Sequence, residues 1–298
     1  QGRSMMEFVP TKPWKKKTLR RPTSDTFATL IVSTFAIIAI IPFVSIIWAV
    51  WSRGHQGLHW SLFTQDMHST AFTDEPLFKG GLIHAVIGSV LVVGAALVIS
   101  VPIGVLTAIY LTEIRGRFTR PIRFLVQSMS GVPSIIAGLF ILAAVVYPLT
   151  KSYSGFQGSL ALAILMIPTV TRTAQEVLNL VPNELREAGL ALGATQWRTV
   201  LSIVVPAARS GLITAVILGI ARIAGETAPL LFTLGTTDKV NWNPFVGGQN
   251  ALPYYVWSGL RDGTEGGIQR AWTAILVLLI LVIALFTTAR IFGQRKAK

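Results

Sequence analysis

Asn183-Glu184-Leu185-Arg186-Glu187-Ala188-Gly189-Leu190-Ala191-Leu192-Gly193-Ala194-Thr195-Gln196-Trp197-Arg198-Thr199-Val200-Leu201-Ser202-Ile203-Val204-Val205-Pro206 is an amphipathic island between two strongly apolar stretches, and its reading decides the fold. Asn183 is placed to cap a first short helix, and Glu184 suits that helix's positive end. Leu185, Ala188, Gly189 and Leu192 recur at helical spacing and form one face. Gly193 supplies the stop that glycine offers after a helix C-terminus. Thr195 can cap a second helix carrying Trp197, Val200 and Leu201, and Pro206 marks re-entry into the next apolar run. A loop that merely joined two spans would need no such helix pair. Something is therefore expected to pack on the apolar face, where Ala188 and Gly189 would permit close approach.

Outward from this island the chain divides into apolar runs of the length that crosses a ~30 Å hydrocarbon core as a helix. Six spans are read: Thr26 to Trp51, Leu82 to Tyr110, Phe124 to Leu149, Ser159 to Leu180, Leu212 to Leu234 and Ala271 to Ile291. Hydrophobic residues make up 52% of the 298 and charged residues only 13%, about half the ~25% usual in soluble domains, which excludes a large water-soluble core. The fold class is all-α integral membrane. Pro42, Pro102, Pro133 and Pro168 interrupt spans and predict kinks, which suit a pathway more than an anchor.

Charge placement sets orientation, since Lys and Arg accumulate on the cytoplasmic side. Nineteen fall on one side: seven in the tail up to Asp25, four from Arg115 to Arg123, Arg172, Arg186, Arg198 and Arg209, and four at the C-terminus; six fall on the other, with Arg222 inside a span. Both termini are expected to be cytoplasmic. The net charge of +13 thus reads as topology and contact with the lipid bilayer, not as a nucleic-acid surface. With no cysteine there is no disulfide framework, thiolate metal site or cysteine nucleophile. The domain reading is a basic cytoplasmic tail at 1–25, a first span with its external loop at 26–80, a transmembrane domain at 81–292 containing the loop 183–206, and a short tail at 293–298. Gln1 to Ser4 precede Met5-Met6 and read as an expression scar.

Ionisable groups inside a span cost a few kcal/mol and need a reason. Arg222 and Glu226 are four apart and can share a helix face, either as a mutual ion pair or facing a pore. Arginine's planar donor fork suits a phosphate-like oxyanion. Arg172, near the end of the fourth span, can snorkel to the interface or join Arg222 in a stepwise anion path, with hydroxyls from Thr169, Thr173 and Thr227. No GxxxxGK[ST] loop is present, so ATP hydrolysis belongs to another polypeptide and the chain itself is not an enzyme. His55, His59, Asp66 and His68 lie near one another in the first external loop, but Gly54 and Gly57 argue against the helix that metal spacing would require, and no metal site is assigned. Trp242, Trp257 and Trp272 fit an interfacial belt or contact with an external protein.

The spacing Glu187-Ala188-Gly189, three residues, Gly193, nine residues, Ile203, one residue, Val205-Pro206 resembles the coupling-loop signature of bacterial ABC importer permeases, with Gly189 replacing an alanine and Val205 a leucine. The resemblance extends to the PstA-type subunit of phosphate importers through Gly131-Val132-Pro133-Ser134-Ile135, Arg172-Thr173 and Arg222-Ile223-Ala224-Gly225-Glu226-Thr227-Ala228-Pro229. It implies a type I ABC importer permease of MetI-like architecture. It also implies ATPase coupling through Leu185, Glu187, Ala188, Gly189, Gly193 and Pro206, and phosphate passage at Arg172, Arg222 and Glu226. The partners it implies are a PstC-type second permease, a dimer of PstB-type ATPase subunits that bind ATP and Mg, and a PstS-type external phosphate-binding protein. Another oxyanion permease, for sulfate or molybdate, and a membrane signalling scaffold are the alternatives.

Overall fold

Each apolar run becomes a helix in the computed structural model, which describes residues 23–68, 77, 79–114 and 116–295 and holds no strand among them. Most of the basic N-terminal tail, Arg115 and the last three residues lie outside the described residues. In chain order the helices are α1 (Thr23–Gly54), α2 (Ile83–Ile109), α3 (Thr119–Ser130), α4 (Ser134–Ile141), α5 (Gly155–Asn179), α6 (Asn183–Ala191), α7 (Gln196–Thr199), α8 (Val205–Ala207), α9 (Arg209–Ala224), α10 (Ala228–Leu231), α11 (Leu252–Asp262) and α12 (Glu265–Arg295). π-helical turns extend α2 over Tyr110–Ile114, α4 over Leu142–Thr150 and α7 over Val200–Val204.

The chain forms two units, 1–48 and 49–298. In the first, the apolar side chains of α1 are exposed from Phe27 to Trp48, as suits a helix solvated by lipid. In the second, α5 is the central element, packed against α2, α4 and α9. Fourteen of its twenty-five residues are buried, so it is a helix surrounded on most sides by protein. One cluster joins Val92 and Ala96 of α2, Ala137 of α4, Leu162, Met166 and Val170 of α5, Ile220 and Ile223 of α9, and Leu230 of α10. A second gathers Ile109, Ala174, Leu178, Val200, Val204 and Ala208 at the end of the bundle that carries α6. A third, at the opposite end, joins Leu62, Met67, Leu82, Leu252, Tyr255 and Ala274. Small residues set the spacing in a setting where association depends on close packing. A Cβ on Gly219 of α9 would stand 2.7 Å from Met166 and 2.8 Å from Val170. Hydroxyls inside these helices return to their own carbonyls, Thr171 Oγ1 to Ile167 at 2.8 Å and Ser159 Oγ to Gly155 at 2.9 Å, which removes unpaired polar groups from the apolar interior.

Among the described residues three helices are long and apolar enough to cross a membrane alone, at Thr26–Gly57, Ile83–Ile114 and Glu265–Ile291. Two of the other expected spans are not continuous helices. Phe124 to Leu149 breaks at Gly131-Val132-Pro133, and the two sides meet at 107°. Proline lacks an N–H and restricts the residue before it, so the helix ends there and α4 starts afresh at Ser134. Leu212 to Leu234 breaks at 225–227 between α9 and α10. By contrast Pro42, Pro102 and Pro168 sit inside helices that continue through them, so proline ends a helix here only at Pro133, where it follows a glycine and a β-branched residue. The stretch Gly235 to Arg270, expected as an external loop, contains α11.

Candidate functional site

Arg222 occupies the last turn of α9, where the unpaired carbonyls of a helix end favour a cation. The helix stops at Ala224, so Glu226 lies just beyond it in the break and not on the same helical face, contrary to expectation. The break folds Glu226 back nonetheless: its Oε1 is 3.5 Å from Arg222 Nη1 and its backbone N–H donates to Ile223 O at 3.2 Å. The Arg222 side chain is 49% exposed and that of Glu226 16%, so the pair presents the arginine outward with the carboxylate behind it.

The antiparallel contact of α5 with α9 fixes the other candidates. Gly211 lies against Val177 and Gly219 against Met166 and Val170, which places Arg172 six or seven residues along the bundle from the level of Arg222, roughly 10 Å at the helical rise. Arg172 stands on an exposed stripe of α5 with Glu176 and Asn179, bordered by the half-buried Thr169 and Thr173. The matching stripe of α9 runs through Ser210, Thr214, Leu218 and Ala221 to Arg222. Thr227, half-buried, precedes α10 and its carbonyl accepts from Leu230 and Leu231. Both arginines therefore lie on surfaces that this chain leaves open, at two levels.

Close packing holds the break in place. A Cβ on Gly138 of α4 would stand 2.6 Å from Pro229 Cα and 2.8 Å from its carbonyl oxygen, backbone atoms that cannot turn aside. Gly138→Val is therefore expected to push α10 and the Glu226–Thr227 segment outward. It should cost about 1–3 kcal/mol as an overpacked core does. Thermal unfolding of the purified protein checks the first effect, and a parallel loss of transport checks the second.

In the loop, Gly193 adopts φ +81° and closes α6 with a Schellman motif, Gly193 N–H to Leu190 O at 2.9 Å and Ala194 N–H to Gly189 O at 3.2 Å. Thr195 caps α7, accepting from Arg198 N–H. Asn183 does not cap α6: Pro182 holds the cap position, and the Asn183 Oδ1 accepts instead from Arg186 Nη1 at 3.2 Å. The expected apolar face also divides. Leu185, Ala188 and Leu192 point outward, Leu192 87% exposed, and Glu187 is exposed beside them. Gly189 is buried, its Cα against Thr199 and Ile203, so the close approach it permits is within the loop. Pro206 lies exposed in α8, where the chain bends by 73° into α9.

Two residues that sequence reasoning passed over organise this end. Arg186 Nε and Nη2 donate to both carboxylate oxygens of Glu113 at 2.9 and 2.8 Å, a bidentate pair. Hydrogen bonding to Glu113 raises the guanidinium's pKa further above its ordinary value, so Arg186 stays charged. The available signal was that Glu113 is the single acid between Glu75 and Glu176.

Among the described residues no group of three or more His, Asp or Glu could hold a metal ion. His55 Nδ1 lies 2.7 Å from Trp51 O, and His68 N–H donates to Asp66. Trp257 and Trp272 each carry an arginine over the ring, Arg261 and Arg53 respectively, while Trp242 is exposed.

Residues 100–298 match the family described as "Binding-protein-dependent transport system inner membrane component". The chain is 39% identical over 279 residues to a Mycobacterium tuberculosis protein named "Phosphate transport system permease protein PstA 1", covering 92% of this chain and 90% of the relative. It is 40% identical over 264 residues to the Haemophilus influenzae "Phosphate transport system permease protein PstA", covering 85% and 90%. Among solved structures, a chain of a bacterial alginate ABC transporter aligns at a TM-score of 0.64 with 14% identity, over 92% of this chain and 98% of the other. One of the inward-facing MetNI methionine ABC transporter aligns at 0.54 with 18% identity, over 73% and 93%. At these identities the two structures speak to the fold, which is that of ABC importer permeases.

Proposed function

We infer, for a chain that belongs to the binding-protein-dependent transport inner membrane component family and to its PstA branch, that it is a permease subunit of an importer that moves inorganic phosphate across the cytoplasmic membrane. It is a multi-pass membrane transport component and not an enzyme. The observation that carries the mechanism is Arg222, a half-exposed guanidinium held by Glu226 at the break of an otherwise apolar helix.

Phosphate, delivered from outside by a PstS-type binding protein, meets Arg222 first and Arg172 about two helical turns further on, with Thr173 and Thr227 offering hydroxyls. Glu226 keeps Arg222 oriented and weakens its hold, since a path must release what it binds. A PstC-type permease covers the open stripes of α5 and α9 and completes the path. On the cytoplasmic side, two PstB-type subunits bind ATP and Mg, and one receives Glu187 and the outward face of α6. Nucleotide-linked motion then favours alternately the inward-open and outward-open states. This reading places both termini in the cytoplasm, with six crossings, the bent pairs counting as one each.

The deciding experiment is ATP-dependent uptake of labelled phosphate by the complex reconstituted in liposomes. Uptake should be unaffected by a hundredfold excess of sulfate, since a site built around one oxyanion's hydrogen bonds rejects a mismatched analogue by about 10⁴–10⁵-fold. Strong competition by sulfate or molybdate would assign the chain to a broader oxyanion importer.

A further inference from the structure

We propose that the Glu113–Arg186 pair is the strut through which movement of α6 reaches the second span, which makes both of them positioning residues for transport. The proposal rests on the importer reading above. One guanidinium ties together three parts of the chain: the π-helical end of the second span through both oxygens of Glu113, the C-terminal end of α5 through Leu178 O at 2.8 Å and the following Val181 O at 2.6 Å, and α6 itself through Asn183. A second tie runs from α7, where the Gln196 side-chain amide donates to the Glu113 carbonyl.

The rest of α6 is poorly suited to transmit force to the spans. Its backbone packs on α7 and the Val200–Val204 turn, both parts of the same loop, and its Gly189 contact is with that turn. Between α6 and the second span lies a cavity of about 670 Å³ lined by Thr112, Glu113, Asn179, Arg186 and Thr199. Apolar packing reaches the second span from α6 only indirectly, through the Val200–Val204 turn and its cluster with Ile109, whereas Arg186 joins α6 to Glu113 directly, so a load applied to Leu185, Ala188 and Leu192 has its direct route through Arg186. The planar fork fixes direction as well as distance, which a sliding leucine contact would not. Glu113 sits in a π-helical turn, a local under-wound register that recurs at functional positions in long helices.

The test uses the complete reconstituted importer, with ATP hydrolysis stimulated by the loaded binding protein and phosphate uptake measured on the same vesicles. Arg186→Ala should hydrolyse ATP within about threefold of the unaltered complex while phosphate moved per ATP falls about tenfold. Arg186→Lys, which restores the charge without the fork, should recover part of that ratio. Glu113→Gln with Arg186→Gln should lose no more than the worse single change, because both act through one bond. An unchanged ratio in Arg186→Ala, or additive losses in the double variant, overturns the strut. Should Arg186→Ala fail to assemble, Glu113→Gln decides, since it keeps the side-chain shape and leaves the bonds to Leu178 and Val181; a normal ratio there overturns the proposal.

The strut can also be read without cargo. The chain has no cysteine, so spin labels on Ala191→Cys and Leu106→Cys report the separation of α6 and α2 with and without trapped nucleotide. Arg186→Ala should change or broaden the nucleotide-dependent distance, and an identical shift in both overturns the strut. Absence of phosphate uptake by the unaltered complex would instead overturn the cargo assignment, leaving this distance measurement to judge the strut.

Discussion

Arg222→Gln is expected to reduce phosphate uptake at least about a hundredfold while the complex still assembles. Hydrogen bonds to a charged partner are worth about 1.5–3 kcal/mol against about 0.5–1.5 for neutral ones, so glutamine keeps donors but loses much of the hold on an oxyanion. The larger effect comes from what remains. Glu226, mostly buried at 16% exposure, loses its cation at 3.5 Å and becomes an unpaired negative charge beside the path. With Arg222 half-exposed the loss falls short of the about 3–5 kcal/mol of breaking a fully buried pair, but the residual charge also repels the substrate. The double change Arg222→Gln with Glu226→Gln separates the two effects, since removing the stranded carboxylate should restore part of the uptake. Labelled-phosphate uptake and the subunit composition of the purified complex are the measurements. Normal uptake by Arg222→Gln would remove the residue from the path.

The second large effect is expected at the other end. Glu187→Lys should abolish transport by weakening the docking of the ATPase subunits. Glu187 is exposed on α6 beside Leu185, Ala188 and Leu192, none of which has a partner's cover within this chain. Reversing a charge at a buried interface leaves both like charges uncompensated, about 2–5 kcal/mol, which corresponds to a fall of roughly thirtyfold to a few thousandfold in association. Co-purification of the ATPase subunits with the permease gives the first readout and ATP-dependent uptake the second. Full association together with full uptake would refute the docking role. Unlike Gly138→Val, this change should leave thermal stability of the isolated chain unaltered, because among the described residues the exposed Glu187 side chain has no hydrogen bond or ion pair to lose.

Much of the fold was legible because a membrane imposes one strong rule. Backbone groups in lipid must be satisfied locally, so apolar runs of sufficient length have to become helices. The loop was legible for a different reason. Gly193 has to take a left-handed conformation and Thr195 has to cap, and both are local requirements written into single residues. Asn183 shows the boundary of such reading. It carries a capping side chain, but Arg186 claims its oxygen and the helix starts one residue earlier than the capping rule implies.

The sequence by itself thus determined an all-helical membrane permease, its family, and a loop of two short helices closed at Gly193 and capped at Thr195. Tertiary structure alone decided three things. It turned Gly189 inward onto Thr199 and Ile203, because a helix of nine residues has room for two faces and only packing chooses which one is covered. It set the segments that follow the breaks at Gly131–Pro133 and at 225–227 against each other, through the approach of Gly138 of α4 to Pro229 of α10, which neither local stretch specifies. It also brought Glu113 to Arg186 across 73 positions of chain. Periodicity reports which face of a helix is apolar, and charge reports which end is wet. Neither carries the relative placement of two helices, which follows from how their side chains interdigitate, so a pair formed between them has no signature in either.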